Sequence, residues 1–273
     1  MLINGNFGDF VTAKDGSAIV EYFSSTNPAI KIDISTNGSA KPNIWSDLAK
    51  FKNLTIGFDL DGLADTHSIY RRNTDWNLVI KNANNFIRAG GNATWRMIVF
   101  EHNKHQIADC KELSKKMGFK NFQIINDGRD NGPVYDKQGK FSYSVGKKTI
   151  DYPDDVFIWK SWTSYNQQNQ IWPIEPVSKN KNCHTKNQKE IYITATGEVY
   201  PCCFLGFYPN SRFQREHYGD DALLKEIVNN NNANQVGIRK AIEYFTEIES
   251  AWEKDLYNQG RLFTCDHYCG QKQ

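Results

Sequence analysis

Over the first 126 residues, short apolar runs alternate with longer stretches in which apolar residues return every three or four positions. The runs at 1–4, 30–34, 54–58, 94–100 and 122–125 predict buried strands, because short apolar or β-branched runs bounded by polar turns suit a pleated strand. The stretches at 17–25, 44–51, 75–89 and 106–117 predict the helices between them. In the third, Trp76, Val79, Ile80, Ala83, Phe86 and Ile87 share one helical face, and Gly90-Gly91 ends it. In the fourth, Ile107, Cys110, Leu113 and Met117 form the stripe, and Gly118 closes it. Strand–helix alternation at this spacing predicts an α/β fold, a parallel sheet with helices outside it.

From about residue 127 to 182 the periodicity fades. Gly, Asn, Asp, Gln and Lys dominate, with scattered aromatics such as Trp159, Trp162 and Trp172. This stretch reads as an extended linker. Beyond it, residues 191–194 and 199–200 predict a hairpin turning at Ala195-Thr196-Gly197. Residues 222–228 and 236–257 read as helices, and the asparagine run at 229–232 between them as a solvated loop. The expected organisation is therefore a strand–helix domain at 1–126, a linker at 127–182 and a small α+β domain at 183–273.

Composition narrows the partners. The 273 residues are 39% hydrophobic and 23% charged, enough apolar surface for a packed core. The net charge of +2 gives no reason to expect nucleic acid or an anionic membrane. The longest apolar runs, such as Met97–Ile98–Val99–Phe100, are far too short to span a bilayer. The first residues resemble no secretory leader, so the expected compartment is the cytoplasm, where cysteines serve as thiols or metal ligands rather than disulfides.

Two groups of residues carry candidate chemistry. The first is a set of polar clusters, each following a predicted strand: Gly5-Asn6-Phe7-Gly8-Asp9, Ser35-Thr36-Asn37-Gly38, Asp59-Leu60-Asp61-Gly62 and Glu101-His102-Asn103. Ligands of parallel α/β sheets bind beyond the carboxyl ends of the strands, so four clusters in that register would line one polar site. Any one alone is an ordinary turn. Arg71 and Arg72 are suited to clamping a carboxylate, while His67 and His102 read as surface or packing residues.

The second group is the cysteines. Five of the six lie after residue 180; only Cys110 precedes them, on an apolar helix face where it reads as core. Thirteen residues separate Cys183 from Gly197, and four separate Gly197 from Cys202. A hairpin turning at that glycine would let Cys183 and Cys202 face one centre, and Cys265 with Cys269 supplies a close pair. Four thiolates suit zinc or an iron–sulfur cluster. Cys203 is the spare, a substitute ligand or core.

With these residues in view, the chain resembles a radical S-adenosylmethionine protein with a C-terminal SPASM or twitch domain. Gly5, Asn6, Gly8 and Asp9 resemble the family's Gly-Gly-Glu-Pro loop, which implies contact with the methionine amino group. Ser35, Thr36 and Asn37 are similar to its Thr-Asn-Gly segment, and Asp59 and Asp61 to its Asp-Gly segment, bordering ribose and methionine. Arg71 or Arg72 would take the methionine carboxylate, and Ile98 would flank adenine. Cys183, Gly197 and Cys202 resemble the auxiliary-domain signature, which implies an auxiliary 4Fe-4S cluster completed by Cys265 and Cys269.

The family's Cys-x₃-Cys-x₂-Cys loop does not occur in this sequence. The resemblance thus implies a partial (β/α)6 TIM-like barrel without its first β/α unit. S-adenosylmethionine would act only with the missing part, which a separate polypeptide could supply. The expected partners are that polypeptide, an electron donor and a peptide or small-molecule substrate. Two other readings stay open: a zinc-stabilised or non-catalytic binding module using the same cysteines, and a sugar or nucleotide enzyme with Asp59 and Asp61 as its acid–base pair.

Overall fold

The structure is a computed structural model that describes residues 1–4, 8–40, 43–126, 133–135, 138, 140–144, 157–160, 182–206, 224, 230–255 and 260–270. The chain divides into two compact units, Met1–Tyr165 and Asn166–Gln273.

The first unit is built on a parallel sheet of β1 (Leu2–Asn4), β2 (Ile32–Thr36), β3 (Leu54–Asp59), β4 (Asn92–Ile98), β5 (Asn121–Asn126) and β8 (Phe157–Lys160), adjacent in that order. The first five are the predicted strands, and the helices between them are α1 (Gly16–Thr26), α2 (Asn43–Leu48), α4 (Trp76–Arg88) and α5 (Ile107–Met117). A short α3 (His67–Tyr70) follows β3. The sixth strand comes from the stretch expected to be a linker, as does an antiparallel hairpin of β6 (Pro133–Tyr135) and β7 (Phe141–Ser144). Only four residues of β8 pair with β5, too few to leave a periodic signal in the sequence.

One sheet face carries the core. Ile32, Ile34, Leu54, Ile56, Phe58, Ala93, Trp95, Met97 and Ile124 alternate along the strands and are buried. The helices cover them: Trp45 of α2 lies 5.0 Å from the Phe58 ring, and Phe86 of α4 lies 6.1 Å from it. Complete burial of a side chain such as Phe86 stabilises the fold by about 1.5–3 kcal/mol. The Asp75 side chain starts α4 by accepting from the Asn77 and Leu78 N–H groups at 2.9 and 3.3 Å. Cys110 is fully buried in this core, as its place on the apolar stripe predicts.

The opposite face is polar. Asp33, Ser35, Thr55, Gly57, Asp59, Asn92, Arg96 and Gln123 occupy the alternate positions of the same strands. Parallel sheets usually bury both faces and read as continuous apolar runs; the polar alternation here marks a face that lacks an apolar layer over these positions, though Arg96 on it is only 13% exposed.

In the second unit, β9 (Tyr192–Ile193) and β10 (Val199–Tyr200) form the predicted hairpin, with Gly197 at its turn. Gly197 has φ +95°, and a Cβ there would lie 2.2 Å from the Asn234 side chain, so both conformation and space require glycine. The helix expected over 236–257 is broken into Ile238–Ala241, Phe245–Ser250 and a 3₁₀ turn at Ala251–Glu253, with Ala233–Val236 before it. One break falls at Gly237, whose φ of +79° and ψ of 157° leave the helical region, and another at the turn 242–244. The asparagine run is not simply solvated. Asn231 is buried and donates its amide to the Val199 carbonyl at 3.1 Å, and Asn232 caps the next helix. Of the helix expected at 222–228, only Leu224 lies among the described residues, where it joins the core of Tyr200, Leu205, Tyr244, Ile248 and Leu262. No helix among the described residues is long and apolar enough to cross a membrane.

Candidate functional site

In the first unit, the parallel strands bring several predicted residues to their carboxyl ends. Asp9, after β1, accepts from the Thr36 hydroxyl at 2.8 Å and the Asn37 N–H at 2.7 Å. It also accepts from the Val11 N–H at 3.2 Å, which starts a 3₁₀ turn. Two of the predicted rim clusters are therefore one hydrogen-bonded unit. Gly8 is exposed beside it, while Gly5 and Asn6 lie outside the described residues. Ser35 goes elsewhere: strand alternation turns it to the polar face, where the Arg96 guanidinium donates to its hydroxyl.

Beyond β3, Asp61 is fully buried. It accepts from the Ile98 N–H at 2.6 Å through one oxygen and from Arg71 Nε at 2.6 Å through the other. Arg71 also reaches Asp59 at 3.3 Å, so one guanidinium holds both carboxylates. Arg72 is exposed and does not share this clamp. Desolvation pushes the Asp59 carboxyl up to about 6, against the pull of Arg71. The Ile98 side chain is buried against Phe100.

Two buried side chains support this rim, His67 and Asn103, the second from the predicted cluster after β4. Of the two places open to His67, surface or packing, it takes the second: it is buried, and its Nδ1 accepts from the Asp61 N–H at 3.1 Å; burial lowers it to about 4, so the ring is neutral at pH 7. Asn103 is also buried: its amide donates to the Ile98 and Asp61 carbonyls, and its oxygen accepts from the Phe100 N–H. A polar residue in a strand-end turn was their only signal. His102 packs by stacking on Phe100, with ring centroids 5.2 Å apart.

In the second unit, Cys183, Cys202, Cys265 and Cys269 line a single cavity with apolar walls from Leu205, Ile248 and Trp252. Its space, mouth included, is about 310 Å³. Cys183 precedes the helix His184–Gln188. The Asn182 N–H donates to the Cys269 carbonyl at 3.0 Å, setting that segment against the end of the helix Phe263–Cys269. Cys265 and Cys269 stand one turn apart on that helix, and the hairpin delivers Cys202. Cys203 opens a short helix and is not among the residues lining the cavity.

Two of the thiols, Cys183 and Cys269, are directly coupled. A hydrogen bond with Cys269 lowers Cys183 to about 5, while the same contact, with burial, pushes Cys269 far up. Burial raises Cys202 to about 12. The Cys183 thiolate thus forms at the expense of Cys269, and a cation in the cavity would favour the ionised form of its thiols.

The cysteine helix is held by a buried ion pair. Arg261 meets Asp266 bidentately, with Nε–Oδ2 at 2.7 Å and Nη2–Oδ1 at 2.9 Å, and both side chains are 1% exposed. Its remaining nitrogen donates to the Trp252 and Lys254 carbonyls, both at 2.7 Å.

Residues 183–270 match the SPASM family model, an iron–sulfur cluster-binding domain. A cysteine-type anaerobic sulfatase-maturating enzyme from Clostridium novyi (strain NT) is 23% identical over 224 residues, 78% of this chain and 59% of that protein. The chain is therefore similar to radical S-adenosylmethionine proteins, and its C-terminal residues to their SPASM domain. Its fold also matches the crystal structure of Streptococcus suis SuiB bound to S-adenosylmethionine, with a TM-score of 0.53 and 18% identity over 75% of this chain and 49% of that one. The SuiB complex with its precursor peptide SuiA gives 0.49 at 16% identity, over 75% of this chain and 49% of that one. The chain spans only about half to three-fifths of the length of these relatives.

The SPASM match begins at Cys183 and contains all four cavity cysteines. Among the described residues, no group of three or more His, Cys, Asp or Glu side chains is placed to hold a metal ion.

Proposed function

We propose that the SPASM domain holds an auxiliary 4Fe-4S cluster through Cys183, Cys202, Cys265 and Cys269, and that the chain serves radical chemistry on a peptide substrate. The observation that carries this reading is the convergence of those four cysteines on one cavity inside the span matched by an iron–sulfur cluster-binding domain. Cys203, outside the cavity lining, is a reserve thiol. When bound, such a cluster supplies one-electron transfer or a point of ligation, and an electron donor would serve it. The protein's own part is to gather four thiols, shield them with Leu205, Ile248 and Trp252, and fix the cysteine helix through Arg261.

The first unit, in this proposal, is part of a (β/α)6 barrel that receives S-adenosylmethionine at its strand ends. Asp9 with Gly8, Thr36 and Asn37 would accept the methionine amino group. Asp59 and Asp61 would border the ribose, Arg71 would face the carboxylate and Ile98 the adenine. Gly5, Asn6 and Arg72 complete the assigned loop positions. The segment bearing the Cys-x₃-Cys-x₂-Cys loop would come from chain outside this sequence or from a second polypeptide. A polypeptide substrate is supported by the sulfatase-maturating relative, whose name places a protein in its reaction.

Iron and acid-labile sulfide, assayed with zinc after anaerobic reconstitution, test the cluster. Close to four irons and four sulfides per chain support it, with uptake falling sharply in Cys265→Ala. One zinc and no sulfide leaves a structural metal module instead. S-adenosylmethionine binding by calorimetry tests the rim; no heat, even with the cluster-bearing segment supplied in trans, removes that assignment.

A further inference from the structure

The polar face of the sheet contains an arrangement that the rim assignments do not use. Arg96 of β4 lies across Gly57 of β3 and reaches β2, where Nη2 meets Asp33 at 2.6 Å and Nη1 donates to Ser35. Its Nε is 3.4 Å from the Gln123 side-chain oxygen on β5. Glycine at 57 makes the crossing possible, since a Cβ there would lie 2.4 Å from the guanidinium carbon. Arg96 is opposite Asp59 on one side and Gln123 on the other, so donors and acceptors form a row across three strands.

The unused hydrogen-bonding capacity in this row is specific. A guanidinium has five N–H donors, and among the described residues Arg96 commits three of them. The Gln123 amide nitrogen has no partner among the described residues, nor has the second oxygen of Asp33, whose side chain is 37% exposed. The charge of Arg96 is already met by Asp33, and Asp59 stands beside it, so a free anion gains little here. Donors beside acceptors on a neutralised surface match a group that offers both, which is a peptide amide.

We infer that the Arg96–Gly57–Gln123 row is a binding site for the main-chain amides of an extended peptide, with Arg96 and Gln123 donating to a carbonyl and the second oxygen of Asp33 accepting an N–H. The inference rests on the peptide-substrate reading above and specifies what the sheet recognises: backbone rather than a charged side chain. Peptide specificity would then come from residues outside this row.

The test uses the full 273-residue chain labelled with ¹⁵N at arginine. The Arg96 Nε–H resonance, assigned by its loss in Arg96→Lys, is followed during titration with N-acetylglycine N-methylamide, acetate or ethylammonium. The expected result is a saturable shift with the diamide and none with either ion. Gln123→Leu should weaken the diamide about tenfold, the loss of one hydrogen bond of about 1.4 kcal/mol. Gly57→Ala, which displaces the guanidinium, should abolish the shift. A larger response to acetate or ethylammonium, no response to any probe, or an unchanged titration in Gly57→Ala overturns the inference. Iron and sulfide content, measured in the same samples, separates the two proposals. A chain that loads its cluster and ignores the diamide overturns the amide site alone. One that binds the diamide without iron overturns the cluster.

Discussion

The two units each contain an arginine–aspartate clamp next to candidate chemistry, and the clamps work differently. In the first, Asp61 is buried between Arg71 and the Ile98 N–H, with Arg71 itself 20% exposed. The flanking strands are already aligned by a parallel ladder, so the clamp refines a position that backbone pairing has set. In the second, Arg261 and Asp266 are both sealed from water and join segments that no sheet connects. Periodic structure distributes positional information over many backbone bonds. Irregular structure concentrates it in a few side chains, whose loss is correspondingly more damaging.

The largest effect should follow from breaking the sealed pair. Arg261→Met leaves Asp266 buried without its partner, a cost of about 3–5 kcal/mol. Urea titration should show the second unit melting early, with iron uptake reduced, while the first unit keeps its midpoint. Asp61→Ala should cost less, about 1–3 kcal/mol, since its main consequence is an unsatisfied Ile98 N–H; it should lower the midpoint of the first unit only. Equal losses from the two substitutions would erase the contrast between the clamps.

Smaller changes sharpen it. Asn231→Ala removes the amide that joins the asparagine run to β10 at Val199 and should cost the second unit about 1 kcal/mol. Asp75→Ala removes the cap of α4 and should cost the first unit about 1 kcal/mol, read as a lower melting temperature.

The smallest effect is on pH dependence. His67 is held near 4, below its usual 6.5, so its contribution is complete above pH 6.5 and is lost as pH falls towards 4. Asp59 is raised to about 6, so the folded state takes up its proton first and loses stability as pH rises from about 4 to 6. The two oppose each other. Asp59→Asn should therefore make acid destabilisation of the first unit steeper, in melting curves collected between pH 4 and 7. An unchanged slope would show that Asp59 titrates alike in the folded and unfolded chain.

Much of the first unit was legible before the structure. The stripe from Trp76 to Ile87 became α4, with Val79, Ala83 and Phe86 buried as its spacing requires. Asp9, Thr36 and Asn37 were read as parts of one rim from their register after strands, and they are hydrogen-bonded together. The alternation in Ile32-Asp33-Ile34-Ser35 was present too, and it marks the polar face that carries Arg96. For His67 the sequence left surface and packing both open, because an isolated histidine has no periodicity to assign it to a face; the structure packs it. The helix over 236–257 failed because apolar spacing alone gives no weight to the conformation of Gly237 or to the turn at 242–244.

By itself, the sequence determined the elements of the first unit and the cysteines available to the second, because both depend on local spacing: apolar period in one case, the count and separation of thiols in the other. The tertiary structure decided which groups meet. Arg71 holding Asp59 and Asp61, Arg96 crossing a bare Gly57 to Asp33, and Arg261 tying Asp266 to two distant carbonyls all depend on long side chains spanning elements. Such contacts are selected by packing and by the cost of leaving a buried charge unpaired. Neither is visible until the chain has folded around them.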